Sequence, residues 1–204
     1  RDLALVKDDT NLWGFINRKG EVVIPCIWKD ANAFSEGMAS VKDTNNKWGY
    51  IDSKGKLVIP CEWCWTILFT EGFAWVENEN GNKGFIDKKG ILRIPCKWEA
   101  ARAFSEGLAR VQEKNGKWGF IDKNGSLIIP CQWKDAGSFS EGFVSVQDKN
   151  DRWGFIDKNG NSSTIVIEEV LPKIKGVVVV SSGAKDIAVK INIINAIQTL
   201  LDLD

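Results

Sequence analysis

Between Leu108 and Gly142 the chain alternates apolar and polar residues in short bursts separated by turn chemistry. Leu108 to Gln112 reads as a strand in which Leu108 and Val111 flank the small Ala109. Lys114-Asn115-Gly116 is a hairpin signal, and Lys117-Trp118-Gly119-Phe120-Ile121-Asp122 forms the returning strand. Asp122-Lys123-Asn124-Gly125 is a second turn, in which Asp bonds the backbone and Gly supplies a positive φ. A third strand, Ser126 to Ile129, then meets Pro130, which cannot donate to a ladder and marks an edge or bend. Cys131 to Ala136 reads as a short fourth strand, and Phe139-Ser140-Glu141-Gly142 closes the unit as a tight turn. With no helical period of useful length, the stretch predicts a three- or four-stranded antiparallel meander.

The same pattern recurs every 35 residues without insertion or deletion. Trp13-Gly14, Trp48-Gly49, Lys83-Gly84, Trp118-Gly119 and Trp153-Gly154 fall on this lattice. So do the Ile-Pro-Cys triplets ending at Cys26, Cys61, Cys96 and Cys131, and the Glu-Gly pairs from Glu36, Glu71, Glu106 and Glu141. A fixed period of this length predicts tandem units that bury their apolar faces against neighbours. The core candidates are Trp28, Trp63, Trp98 and Trp133 at one slot and Trp13, Trp48, Trp118 and Trp153 at another. One buried Trp removes about 200 Å² from water, worth roughly 5 kcal/mol before chain entropy is charged against it. The expected fold is an all-β tandem repeat array, open and solenoid-like, with a β-propeller as the alternative and a short α/β segment at the C-terminus.

The string Lys-Trp-Gly-Phe-Ile-Asp-Lys-Asn-Gly, followed by Ile-Ile-Pro and Phe-Ser-Glu-Gly, resembles the bacterial WG-repeat family over residues 1 to about 160. The resemblance implies tandem β repeats; it brings neither a common activity nor catalytic residues.

Composition narrows the function classes. Lys plus Arg (27) balances Asp plus Glu (27), so no net field draws the chain to nucleic acid or an anionic membrane. The absence of His removes the commonest general base and metal ligand. There is no nucleophile elbow, phosphate-binding glycine loop or metal cluster, and the expectation is a non-enzyme without cofactor or metal. Four of the five Cys share one slot after Pro, and only Cys61 and Cys64 have a C-x-x-C spacing; they read as free, buried, small apolar residues. No apolar run approaches the length of a transmembrane helix. The chain opens at Arg1, so any signal or anchor would lie upstream and localisation is left open between cytoplasm and cell envelope.

Comparing copies singles out one region. At one slot of the first strand the copies read Leu5, Ser40, Trp75, Arg110 and Ser145, a variability that predicts a solvent face. The copy containing Trp75 also has Cys64-Trp65-Thr66 and Ile67-Leu68 where others have Lys-Asp-Ala or Glu-Ala-Ala, and Lys83 where others have Trp. Two readings are open. Trp65 or Trp75 fills the hole left by the missing Trp, or Trp65, Ile67, Leu68 and Trp75 form an exposed patch for a protein or glycan partner. The recurrent Glu and Asp residues read as structural, bonding backbone N–H groups or indole N–H groups in turns.

After Asn159-Gly160-Asn161-Ser162-Ser163 the pattern changes, dividing the chain into a repeat domain at 1–160 and a linker with a strand–helix segment at 161–204. Ile165-Val166-Ile167 and Gly176 to Ser181 read as strands. From Lys185 the period becomes helical, with Val189, Ile193, Ala196, Ile197, Leu200 and Leu203 on one face. The last 40 residues or so resemble the C-terminal part of stage III sporulation protein AG, whose family builds rings. The family's acidic stretch is replaced here by Ser181-Ser182-Gly183-Ala184-Lys185-Asp186, and the module's first half and final strand are missing. The functional expectation is a non-catalytic scaffold for protein partners, with the bacterial cell envelope as one setting. The alternatives are a sporulation-ring subunit that self-associates through residues 165–204, the same segment acting as a cap on the array, and a carbohydrate-binding module.

Overall fold

The computed structural model describes residues 3–163, and these form nineteen strands with no helix among them. The predicted strands and helix of residues 165–204 lie outside the described residues. The first sheet is β1 (Ala4–Lys7), β2 (Trp13–Ile16) and β3 (Val22–Trp28). The second comprises β4 (Asp30–Ala31), β5 (Met38–Lys42), β6 (Trp48–Asp52) and β7 (Leu57–Trp63). The third is β8 (Trp65–Thr66), β9 (Phe73–Glu77), β10 (Lys83–Asp87) and β11 (Leu92–Trp98). The fourth is β12 (Ala100–Ser105), β13 (Leu108–Gln112), β14 (Trp118–Ile121) and β15 (Leu127–Trp133), and the fifth β16 (Asp135–Ala136), β17 (Phe143–Gln147), β18 (Trp153–Asp157) and β19 (Ser162–Ser163). Every sheet is an antiparallel meander in chain order, and the five follow one another in tandem with no closed barrel among the described residues.

The sheet boundary falls inside the stretch expected to be one fourth strand. The strand after the Gly turn runs through Pro as far as the second Trp. A single residue, such as Lys29 or Lys134, then separates it from the first strand of the next sheet. Proline is tolerated because it stands in a bulge on the edge strand. Trp118 pairs with Trp133 and Phe120 with Ile129, so Pro130, Cys131 and Gln132 together oppose Gly119. The same bulge explains the Trp-Gly dipeptide. A Cβ on Gly119 would lie 2.6 Å from the Ile129 carbonyl oxygen and 2.8 Å from the Cys131 amide nitrogen, and Gly14, Gly49 and Gly84 are equally confined. The two tryptophan slots are therefore cross-strand partners: Trp13 with Trp28, Trp48 with Trp63, Trp118 with Trp133.

One hydrophobic core lies between each pair of consecutive sheets. Phe15 and Ile24 of the first pack with Ala39, Val41 and Ile51 of the second. Tyr50 and Ile59 then pack with Phe69, Val76 and Ile86, Phe85 and Ile94 with Phe104, Val111 and Ile121, and Phe120 and Ile129 with Phe139, Val146 and Ile156. At each junction the Phe before the Glu-Gly turn meets an aromatic ring of the preceding sheet. The centroid distances are 4.9 Å for Phe15–Phe34, 4.7 Å for Tyr50–Phe69, and 5.0 Å for both Phe85–Phe104 and Phe120–Phe139. Each sheet thus buries apolar surface only with its neighbours, the defining economy of a repeat array.

The Glu-Gly turns lock the stack from the rim. Ser35 and Met38 exchange both backbone hydrogen bonds across Glu36-Gly37, which places Glu36 at φ 50° and Gly37 at φ 85°. A positive φ is costly for Glu, and its carboxylate offsets the strain by reaching the next unit. The Gly72 N–H donates to Glu36 at 3.1 Å, Gly107 N–H to Glu71 at 3.0 Å, and Gly142 N–H to Glu106 at 2.8 Å. Lys88, Lys123 and Lys158 pair with the same three carboxylates at 2.9, 3.1 and 3.1 Å. The glutamates therefore bond backbone N–H groups and lysines, while the indole N–H groups of Trp28, Trp63, Trp98 and Trp133 are buried without an acceptor.

Candidate interaction surface

The slot Leu5, Ser40, Trp75, Arg110, Ser145 does not face solvent. Ser40 is fully buried, Trp75 is 8% exposed, and Leu5, Arg110 and Ser145 are half-buried. Alternation identifies which residues share a face, but here a neighbouring sheet covers that face too. The variability records local pairing: Asn32 donates to Ser40 Oγ at 2.9 Å, and Arg110 reaches Asp135 at 3.4 Å. The four repeat-slot cysteines are free and half-buried rather than fully buried, and Cys61, Cys96 and Cys131 touch the cores at their margins. Burial still pushes the Cys61 and Cys131 thiols up to about 11.

The irregular third copy resolves into two substitutions of different kinds. In the first two copies a lysine lies over the first-slot Trp, Lys7 over Trp13 at 5.3 Å and Lys42 over Trp48 at 5.7 Å. Here Glu77 faces Lys83 across β9 and β10, and the two form an ion pair at 3.1 Å, so a cation–π contact has become a salt bridge. Trp98 is left with Lys83 as its cross-strand partner and shares a core cluster with Trp75 and Phe85. Trp65 behaves differently: it is 46% exposed and its ring lies 5.5 Å from that of Trp48 in the sheet before. Ile67 packs against the core between the third and fourth sheets, and Leu68 is half-buried. Of the four candidate patch residues, Trp65 is thus the exposed member.

Tryptophan exposure also bears on a glycan surface. Among ten Trp residues only Trp65 and Trp153 are exposed. Trp153, at 55%, stands at the last copy, where no Ile-Pro-Cys bulge and no second Trp occur among the described residues and a Cβ on Gly154 meets nothing within 4 Å.

A larger apolar feature escaped the sequence pattern. The edge strands β3, β7, β11 and β15 each begin with exposed apolar side chains: Val22 and Val23, Leu57 and Val58, Leu92, then Leu127 and Ile128, each between 40% and 62% exposed. Their common slot makes a ridge repeated in four sheets. The signal was present in three copies as two consecutive apolar residues before Ile-Pro, with Leu92-Arg93 in the third, and the register shift there leaves the second of each pair without a cross-strand partner. The turns that open these strands carry the exposed Lys19, Lys54, Lys56 and Lys89 against the exposed Glu21, so the rim of the ridge has an excess of basic residues. No group of three or more His, Cys, Asp or Glu residues among the described residues is arranged to hold a metal ion. No described helix is long and apolar enough to cross a membrane.

Comparisons with known proteins agree with this architecture. Residues 13–48, 48–82, 84–118 and 118–153 match the WG containing repeat. Residues 140–204 match the SpoIIIAG C-terminal domain. The second match starts within the fifth sheet, earlier than the 40-residue resemblance of the tail, and overlaps the last WG match over residues 140–153. No curated protein sequence matches the chain. Among solved structures, the computationally designed Ika8 protein is similar at 11% identity and TM-score 0.51, over 79% of this chain and 57% of that one. The chain therefore spans a little over half the length of Ika8, 57%. The WD40 β-propeller domain of Doa1 aligns at 8% identity and TM-score 0.43, over 79% of this chain and 64% of that one. BamB from Moraxella catarrhalis aligns at 9% and 0.42, over 79% and 57%. By the four consecutive repeat matches across residues 13–153, the chain belongs to the WG containing repeat family.

Proposed function

We propose that this chain is a non-catalytic scaffold that binds a protein partner along the outer edges of its sheets. The observation that carries the reading is the apolar ridge, because large side chains held 40% or more exposed at one slot in successive units are a standing interaction surface. Its basic rim favours a partner whose apolar contact surface is bordered by acidic residues. Trp65, 46% exposed with its ring against that of Trp48, adds an aromatic anchor of the kind that dominates binding energy. The test is differential enrichment with the intact chain. A variant carrying Leu57→Lys, Leu92→Lys and Leu127→Lys should keep its melting temperature and lose a protein that the wild type and Lys149→Gln both retain. Equal retention by all three overturns the reading.

A second reading rests on the SpoIIIAG C-terminal domain match over residues 140–204. In it the chain is a subunit or accessory of a sporulation ring, and residues 165–204 drive self-association. Sedimentation velocity should then show concentration-dependent oligomers that vanish when those residues are removed. A chain that stays monomeric at all concentrations contradicts this.

A further inference from the structure

The fourth sheet departs from the other copies in a way the scaffold does not require. Arg102 on β12 and Arg110 on β13 occupy slots that in the second and fifth sheets hold a self-satisfied or compact pair and in the third the apolar Ile67 and Trp75. Asn32 donates to Ser40 at 2.9 Å, and Gly137 faces Ser145 so closely that a Cβ would lie 2.8 Å from its Oγ. Both guanidinium groups instead lie over the ring of Trp118, with Cζ 4.3 Å from its centroid for Arg110 and 5.7 Å for Arg102.

Their donors exceed the acceptors around them. Arg110 has 16% of its side chain exposed and reaches only Asp135 Oδ1, at 3.4 Å, and its Nε is buried without an acceptor. That Asp135 oxygen already accepts the Ala136 N–H at 2.7 Å. Arg102 is exposed and spends one N–H on the Ala101 carbonyl at 3.0 Å. Two cations thus share one aromatic platform with one half-engaged carboxylate. Like charges gathered over one ring repel: burial first lowers the proton affinity of Arg110, Asp135 opposes it, and the charge of Arg102 lowers it further. An added anion between the two would relieve both the repulsion and the unmet hydrogen bonds.

We infer that Arg102 and Arg110, gathered over Trp118, form a receptor for an acidic side chain of the protein partner. The Trp118 ring holds both guanidinium groups in place, and exposed Arg102 keeps N–H donors beyond the one given to Ala101 with which to meet a carboxylate. The inference rests on the protein-binding reading and gives it one polar anchor point.

The experiment measures a fluorescently labelled hexaglutamate peptide by anisotropy at low ionic strength against the full chain. Saturable binding should weaken about tenfold in Arg102→Gln, a change at an exposed side chain that leaves the melting temperature in place. Arg102→Lys, which keeps the charge and loses the fork, should recover only part of the affinity, and Lys149→Gln should match wild type. Absence of saturable binding, or equal affinity in Arg102→Gln and Lys149→Gln, overturns the inference. Displacement of the peptide by inorganic phosphate at an ionic strength where acetate leaves it bound overturns the carboxylate assignment. If ridge variants lose the retained protein while the peptide's affinity is unchanged, the two surfaces act separately. If the ridge holds and peptide binding fails, only the arginine receptor falls.

Discussion

Gly119 and Gly154 stand at the same repeat slot in opposite surroundings, which makes them a matched experiment on the Trp-Gly motif. Replacing Gly119 with Ala puts a Cβ 2.6 Å from the Ile129 carbonyl oxygen and 2.8 Å from both the amide nitrogen and the Sγ of Cys131. Two of those obstacles are backbone atoms of a bulge, so relief demands a shift of β15 rather than a rotamer change. Overpacking of this kind costs about 3 kcal/mol, the upper end of the usual range. For a domain of this size that lowers the melting temperature by about 6–12 °C. Gly154→Ala meets nothing within 4 Å and needs no positive φ. It should be neutral or stabilise by up to about 1 kcal/mol, because Ala has less freedom to lose on folding. Thermal and urea unfolding followed by far-ultraviolet circular dichroism would compare the two. Equal effects, or a neutral Gly119→Ala, would refute the claim that the bulge dictates the glycine.

The acid limb of stability should depend on the rim glutamates. The Lys88 hydrogen bond, then the Gly72 N–H, hold Glu36 below its ordinary 4.5 against partial desolvation, and in Glu106 desolvation is outweighed by Gly142 and Lys158. Carboxylates depressed on folding contribute stability above pH 4.5 that is lost as pH falls through their folded values, so Glu36→Gln and Glu106→Gln should flatten the fall in melting temperature between pH 5 and pH 3. An unaltered acid limb in both variants would contradict the clamp. Tyr50, the only tyrosine, is buried with its hydroxyl bonded to Thr66 and to the Ile67 carbonyl at 2.6 Å; burial, partly opposed by the Thr66 bond, raises it far above 10.0. Absorbance at 295 nm should therefore rise only together with loss of the β-sheet dichroism, and an ionisation step in the folded chain would contradict the packing. Trp75→Ser should cost about 3–5 kcal/mol as a core truncation, whereas Trp65→Ser, which removes a half-exposed ring and its contact with Trp48, should cost only about 1–2 kcal/mol. Similar losses in both would show that Trp65 is structural.

The period, the antiparallel hairpins and the tryptophan slots were legible because turn chemistry and strand alternation are local. What lay beyond local pattern was the stacking. Glu36 meets Gly72 and Lys88, partners separated by 36 and 52 residues, and no pairing rule within one strand points to them. The face of Ser40 and Trp75 was misjudged for the same reason, since a residue outside one unit's core enters the core shared with the next. The strand boundary at Pro130 was misplaced because a bulge absorbs a proline that a regular ladder would reject. The ridge at Val22, Leu57 and Leu127 was hidden in an apolar run that resembled core sequence and became a surface only when the edge strand was placed.

A photo-crosslinking residue at position 57 or 127 reports on the ridge as a protein-binding surface, with position 149 at the other end of the strands as control. A discrete crosslinked protein is expected from positions 57 and 127, absent from 149 and abolished by the Leu92→Lys substitution introduced alongside. Crosslinks of equal yield from all three positions, or none from the ridge while 149 captures the same protein, would contradict it.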